Sequence, residues 1–477
     1  MSDLTTISEH IRSHMNGLHA KPELIPHNQI TNKLLEKIEK KDLRETVGLP
    51  EDEKLKKNHI LVVVIEELLR LAKQNSWGLC RVHDFVYVYN SAFWSLLDKD
   101  ELQDFLGRAA EKMGVDKFDA RVYTFREQLY KQFLSAAHLS KPDSNKDITL
   151  INLKNGTLHI GSNGGELKAF SSKDFITYQL PFEFDEFATC PVFEAYLKRV
   201  LPDPTLRDIL AEFLGYLFVR NLKLEKCLLL YGGGANGKSV FFEIVNALLG
   251  NENVSNFSLS NLQEEHNRAL IANKRLNYGS EIKAGIESDI FKQLVSGEPV
   301  QARMKYGNSF TMTDYARLCF NCNELPKDVE HTEAYFRRFL IIPFEVTIPE
   351  EERNPQLAQI IIEKELAGVF NWVLSGLKRL IRQKNFTYSD AAREAVSKYR
   401  LESDSVSLFL REEDYKKSAV NFTHLKTMYQ DYRHFCSTNG QKALSNINFS
   451  KRLQSTGYQL DRKNSGMVVY AEKPISV

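Results

Sequence analysis

The chain has 477 residues, 43% of them hydrophobic and 26% charged, which is ordinary globular composition and enough for about three domains. Sixty-three lysines and arginines against 62 aspartates and glutamates leave a formal charge of +1, so no global positive field draws the protein to nucleic acid, and any such binding has to rest on local patches. No run of about 18 apolar residues is present, and the polar start MSDLTTISEHIRSHMNG lacks the basic and apolar regions of a signal peptide, so the expectation is a cytoplasmic protein with no membrane partner.

Cys80, Cys190, Cys227, Cys319, Cys322 and Cys436 are scattered as in a reducing compartment. Cys319 and Cys322 form a CxxC inside the strand-like run ARLCFNCNELP, with no second ligand pair at zinc spacing, and read as core thiols.

Residues 1 to about 50 are polar and lysine-rich, ending in a charged stretch around Pro50. HILVVVIEELLRLAKQ has helical periodicity, and CRVHDFVYVYNSAFWSLL reads as strand, turn at Asn90-Ser91, strand, giving an α+β domain over 1–145. Period-two alternation from Ile148 to Asp185 predicts a small β region, with hairpin turns at Asn155-Gly156 and Gly164-Gly165. Helices broken at Pro202 and Pro204 follow, so 146–225 reads as a β region and helical collar.

From Lys226 the pattern is strand KCLLLY, loop GGGANGKS and helix VFFEIVNALLG. That is the context a P-loop requires, because glycines let successive N–H groups turn toward phosphate oxygens at the positive end of a helix. Gly232, Gly233, Gly234, Ala235, Asn236, Gly237, Lys238 and Ser239 are the expected ATP-binding residues, with Lys238 on the β/γ-phosphates and Ser239 on Mg²⁺. RLNYGSEI, ARLCFNCNE and RFLIIPFEV supply further strands of a buried parallel sheet, making 226–348 an α/β ATPase core.

Hydrolysis also needs a carboxylate at the end of a neighbouring strand, for which Glu281 is the candidate catalytic and metal-binding acid and Asp289 the fallback. Asn323, ending LCFNCNELP, can both donate to a γ-phosphate and accept from a lytic water. Arg337 and Arg338, just before an apolar strand, can supply a guanidinium to a nucleotide bound in a neighbouring subunit. Residues 349–400 read as a helical linker region.

In 401–477 the charge balance shifts. From Lys416 to Lys473 ten basic residues face three acids. Helix, turn, helix and a hairpin around Asn464 to Gly466 is winged-helix order, placing Lys451 and Arg452 on a recognition helix and Arg462 and Lys463 on the wing as DNA contacts.

The ordered set GGGANGKS, NYGSEI, KQLVSGEPVQARMKYGNSFTM, LCFNCNELP and FRRFLIIPF resembles superfamily 3 helicases of the phage, plasmid and poxvirus primase-helicase type. The resemblance implies an AAA+-like core acting as a hexameric ring that hydrolyses ATP and moves 3′ to 5′ on single-stranded DNA, with forked DNA, further copies of the chain and a separate primase or initiator as partners. Residues 232–239 would be Walker A, Glu281 Walker B, Asn323 the sensor, Arg337 or Arg338 the finger acting in trans, and SGEPVQARMKYGNSF a channel hairpin. On that hairpin Arg303 and Lys305 would meet phosphates and Tyr306 a base.

Two departures stand out. Ser280 occupies the place where relatives often carry a second acid, and no paired-carboxylate primase site is visible upstream. The expectation is therefore a helicase part without a primase domain. The rival readings are an ATP-controlled origin-binding initiator with little unwinding of its own and, more remotely, a small-molecule kinase.

Overall fold

The computed structural model describes residues 24–50, 53–82, 85–139, 148–161, 164–279, 288–305, 307–326 and 329–473. They fall into two compact units, Met1–Phe184 and Asp185–Val477.

The first unit opens with α1 (His27–Lys37), α2 (Leu43–Val47) and α3 (Lys57–Gln74). Leu61, Val64, Ile65, Leu68, Leu71 and Ala72 fall on one face of α3 and are all buried, as the helical period requires. The antiparallel sheet β1 (Gly78–Val82), β2 (Phe85–Tyr89) and β3 (Trp94–Leu97) turns at Asn90-Ser91 as expected. Alternation splits its side chains. Leu79, Val86, Val88 and Leu97 join the helical core, while Cys80, Val82, Tyr87, Tyr89 and Trp94 form a second cluster against Phe175.

Helices α4 (Lys99–Met113), α5 (Lys117–Arg121) and α6 (Tyr123–Ala136) complete that core. The meander β4 (Thr149–Leu153), β5 (Gly156–Gly161) and β6 (Gly164–Lys168) follows. The turn at Asn155 is found, but Gly164 and Gly165 pair with Gly161 and Ile160 as strand residues rather than forming the turn.

The second unit starts with α7 (Pro191–Val200) and α8 (Pro204–Tyr216), separated where the two prolines predict. Then come β7 (Cys227–Tyr231), α9 (Lys238–Leu249), β8 (Val254–Ser255), α10 (Glu265–Ala269), β9 (Leu276–Gly279) and α11 (Ser288–Ser296). A hairpin of β10 (Val300–Arg303) and β11 (Ser309–Met312) leads to β12 (Arg317–Cys322), α12 (Glu333–Phe336) and β13 (Phe339–Pro343). The strands form a wholly parallel sheet in the order β13–β7–β12–β9–β8. All six cysteines are buried and free, the CxxC pair among them.

Residues 349–400 are helical, as α13 (Leu357–Gln383) and α14 (Asp390–Glu402), but they are built into the body of the unit rather than linking parts of it. Helix α13 crosses α8 so closely that a Cβ on Gly376 would sit 2.3 Å from the Ala211 carbonyl carbon. At the same crossing the fully buried Glu212 accepts from Arg379 Nε at 2.5 Å and from the Thr387 amide at 2.7 Å. The boundary between the compact units likewise lies at Phe184, so the β4–β6 meander goes with the first unit and only the collar helices with the second.

The C-terminal segment contains α15 (Ser405–Glu412), β14 (Lys416–Lys417), β15 (Thr423–His424), α16 (Leu425–Thr438), α17 (Asn446–Ser455), β16 (Leu460–Lys463), β17 (Gly466–Val469) and β18 (Ala471–Glu472). Phe409, Met428, Tyr432, Phe449 and Leu453 form its core beside the antiparallel sheet β15–β17–β16, and the expected hairpin turns at Asn464-Ser465. The architecture as a whole is mixed α/β with a parallel sheet.

Candidate functional site

Strand register gathers the candidate residues at one edge. Tyr231 lies level with Cys322 and Pro343, and Gly279 with Phe320, so the start of the glycine loop, Asn323 and the last residue of β9 lie toward the carboxyl edge of the sheet. In parallel sheets this edge is where ligands bind.

The loop is pinned from three sides. Phe344 N donates to Tyr231 O at 2.7 Å, Ile348 N to Ala235 O at 2.8 Å, and Tyr196 Oη to Gly237 O at 2.8 Å. Asn236 Nδ2 donates to Gly233 O at 2.7 Å and Phe344 O at 3.1 Å, bracing the loop from within. A Cβ on Gly232 would lie 2.3 Å from Phe344 O, which is why only glycine fits there. Around Gly233 and Gly234, in contrast, nothing lies within 4 Å of a built Cβ.

Lys238 opens α9 and is buried, its ammonium donating to Gly232 O at 2.5 Å, Gly233 O at 3.0 Å and Asn236 Oδ1 at 3.2 Å. Burial pushes its pKa down, and the nearby Cys322 only partly opposes this. Ser239 is exposed one residue on. Helix α9 has no side-chain cap from Gly237 and no acid in its first turn; its first amide, Lys238 N, donates to Asn236 Oδ1 at 3.4 Å, and the amides that follow face the positive end where an anion is favoured.

Asn323 is exposed, one residue beyond β12. Glu281, with Ser280, lies outside the described residues. The fallback Asp289 is 87% exposed on α11 and pairs with Lys292 at 3.1 Å. Among the described residues no group of three or more histidines, cysteines and carboxylates is placed to hold a metal.

The two arginines part company. Arg338 is buried, with Nη2 on Ser296 Oγ at 2.9 Å and Nη1 on Ala334 O. Arg337 is exposed, its guanidinium 3.1 Å from Glu225, a carboxylate that Arg338 also reaches at 3.4 Å. Arg337 borders a cavity of 470 Å³ whose lining includes Lys226, Arg393, Arg400 and Glu333. Burial and the charge of Arg337 lower the pKa of Lys226.

The expected hairpin is present as β10–β11. Arg303 is exposed near its tip and bridges it through Nε to Gly307 O at 3.1 Å; Lys305 is exposed, and Tyr306 lies outside the described residues. In the C-terminal segment Lys451 and Arg462 are exposed. Lys463 Nζ sits 3.8 Å over the Phe422 ring. Arg452 is turned inward instead, its Nε 2.9 Å and Nη2 2.6 Å from Oδ2 of the buried Asp404. That commitment is a correction to its reading as a phosphate contact, since the guanidinium is already neutralised by an internal carboxylate.

Tyr196, Phe344, Ile348 and Glu225 carry no motif of their own. Their roles arise from contacts with residues distant in the chain, and no local pattern could have marked them.

Comparison with known proteins matches residues 66–202 to a family model described as D5 N terminal like and residues 230–338 to one described as a family of unknown function, DUF5906. The protein named "Putative helicase 121R" of Invertebrate iridescent virus 3 is 24% identical over 408 residues, covering 77% of this chain and 37% of that protein. "Putative helicase L207/L206" of Acanthamoeba polyphaga mimivirus is 25% identical over 159 residues, 31% of this chain and 16% of that protein. These matches support a phage and viral primase-helicase family of the superfamily 3 type.

The chain spans 37% or less of the length of the curated relatives it matches. Among solved structures, the apo A form of the NrS-1 C-terminal region is 13% identical with a TM-score of 0.49, covering 88% of this chain and 99% of that one. No helix among the described residues is long and apolar enough to cross a membrane.

Proposed function

We propose that the protein is an ATP-dependent DNA helicase that moves along single-stranded DNA as a ring, hexameric as in the family, in replication of a phage, virus or mobile element. The observation that carries the reading is the separation of two half-sites by sheet polarity. The glycine loop follows β7, whereas Arg337 precedes β13, and Phe339 is level with Cys227. Four strand steps of about 3.3 Å put about 13 Å of sheet between the two edges. Arg337 therefore serves a loop other than its own.

The loop fits a triphosphate. Gly233 and Gly234 leave open space, Gly237 brings no side chain to cap α9, and carbonyls hold the Lys238 ammonium where an anion would replace them. In this reading residues 232–239 are a P-loop in an AAA+-like core, and Ser239 with Glu281 would hold Mg²⁺, whose chemistry is to neutralise charge on the transferred phosphoryl group. Asn323 orients the attacking water. Arg337 of a neighbouring copy, not the buried Arg338, completes the site. Arg303, Lys305 and Tyr306 meet single-stranded DNA, and the C-terminal segment acts as a winged-helix module whose exposed Lys451 and Arg462, with the partly buried Lys463, meet DNA at a fork.

The test is ATPase activity with and without single-stranded DNA, together with unwinding of a forked duplex, for the native chain and for Lys238→Ala. The native chain unwinds with DNA-stimulated hydrolysis and the variant does neither. Unwinding that survives Lys238→Ala refutes the proposal.

A further inference from the structure

The β10–β11 hairpin is short and two-stranded, a form that is marginal in water unless something packs against it or pairs with its edges. Val300, Ala302 and Met312 bury its inner face, but the outer edge of β10 still presents the carbonyls of Gln301 and Arg303 away from β11. Both are taken by side chains of α10. Arg268 Nε donates to Gln301 O at 2.9 Å, and His266 Nδ1 to Arg303 O at 2.9 Å. The same guanidinium reaches back through Nη1 to Leu262 O at 3.1 Å and to Gln263 O.

Arg268 is only 4% exposed, and among the described residues the carboxylate that pairs with it, on Glu265, stands 4.0 Å away. A buried cation without a close counter-ion is costly, and here carbonyls satisfy it instead. The planar fork spans two chain segments at once, which a lysine ammonium does not do. From α10 the chain runs directly into β9, tied on the way to the far end of the hairpin by Asn273 N to Asp314 O at 3.0 Å and Ala316 N to Ile271 O at 3.0 Å. Strand β9 ends at Gly279, two residues before Glu281.

We infer that Arg268, assisted by His266, is a positioning residue that mounts the β10–β11 hairpin on the ATPase sheet and so couples nucleotide turnover to single-stranded DNA. This rests on the proposed reading of the hairpin as the DNA contact. Arg268 itself touches neither nucleotide nor DNA; it stands in for a third strand along β10 and fixes the height of the tip that carries Arg303 and Lys305.

The experiment compares the native chain with Arg268→Lys, Arg268→Gln, His266→Ala and the double variant Arg303→Ala, Lys305→Ala. The ATPase rate is measured with and without oligo-dT, and amide hydrogen exchange is followed in residues 300–312. Both Arg268 variants are expected to lose about tenfold or more in DNA stimulation relative to the DNA-free rate, with faster exchange along the hairpin. Arg268→Lys fails like Arg268→Gln because it keeps the charge and loses the fork. His266→Ala falls short by a factor of about two to ten, the worth of one hydrogen bond.

Wild-type stimulation in Arg268→Lys, or DNA-free and DNA-stimulated rates falling together, overturns the coupling role. Unchanged hairpin exchange overturns the mount itself. A normal DNA response in the Arg303, Lys305 double variant instead sinks the reading of the hairpin as the DNA contact, and hydrogen exchange in the Arg268 variants still decides the mount.

Discussion

If Arg337 completes a neighbour's site, two inactive variants must rescue each other. Arg337→Ala keeps an intact loop but offers no finger; Lys238→Ala offers the finger but has no working loop. In a ring with head-to-tail interfaces, a site is productive only where the loop of an Arg337→Ala copy meets the finger of a Lys238→Ala copy. With random mixing at equal concentrations that juxtaposition arises at half times half of the interfaces, so activity returns to about one quarter of the native rate whatever the ring size. Each variant alone is expected to lose about a thousandfold or more in turnover, the usual worth of such an arginine.

Stability separates the finger from its neighbour. Arg337 is 57% exposed and its pair with Glu225 is a surface one, so its loss costs at most about 1 kcal/mol. Arg338 is 9% exposed and bonded to Ser296 and Ala334, so Arg338→Ala costs about 1–3 kcal/mol and lowers the melting temperature. The assay is steady-state ATP hydrolysis across mixing ratios, after the subunits have been dissociated and reassembled together, with thermal melts of each variant. A flat zero at every ratio, from variants that each still assemble, would refute the trans argument; so would native activity in Arg337→Ala.

Two further outcomes follow from the packing. Burial opposes the charge on Asp404, but hydrogen bonds from Arg452 and Ser407 outweigh it and hold the carboxyl below its ordinary value of 3.8. A depressed folded pKa means that this contribution is whole above pH 3.8 and fades as the pH falls through the folded value, so acid unfolding of the C-terminal segment shifts upward in pH in Arg452→Ala. At neutral pH that variant leaves a buried carboxylate unpaired and loses about 3–5 kcal/mol, whereas Lys451→Ala keeps its melting temperature and lowers the salt slope of duplex binding by about one; equal melting temperatures for the two would contradict the assignment. Gly376→Ala drives a methyl against the Ala211 backbone and is expected to cost about 1–3 kcal/mol in urea unfolding, and an unchanged midpoint would show that the α8–α13 crossing can yield.

What was legible in the sequence was whatever a local pattern enforces. Strand, glycine loop and helix at 227–249, four of the five parallel strands from their apolar runs, and the C-terminal hairpin stand where alternation, periodicity and turn residues put them, whereas the β10–β11 hairpin was expected from the family resemblance alone. Pairings between distant residues were not legible. Arg337 and Arg338 are adjacent and chemically identical in the chain, and only the turn at the end of α12 sends one to solvent and the other onto Ser296. Arg452 lies among basic residues and reads as one more of them, because its partner Asp404 is 48 positions upstream. The 349–400 segment reads as a linker because nothing local reports that Gly376 lies against Ala211.

Sheet polarity explains why the candidate site divides as it does. Strands β7 and β13 are parallel neighbours in register, so whatever follows β7 and whatever precedes β13 sit at opposite edges of the same sheet. No rotamer of Arg337 removes that separation, since it is set by the strands and not by the side chain. An arginine placed before β13 can be a structural ion pair, which describes Arg338, or it can address another molecule, which the exposure of Arg337 permits. Both arginines reach Glu225, but the exposed Arg337 makes only a surface contact worth at most about 1 kcal/mol, which holds its guanidinium without committing it. An arriving triphosphate, with more charge and more acceptor oxygens than one carboxylate, would outcompete it.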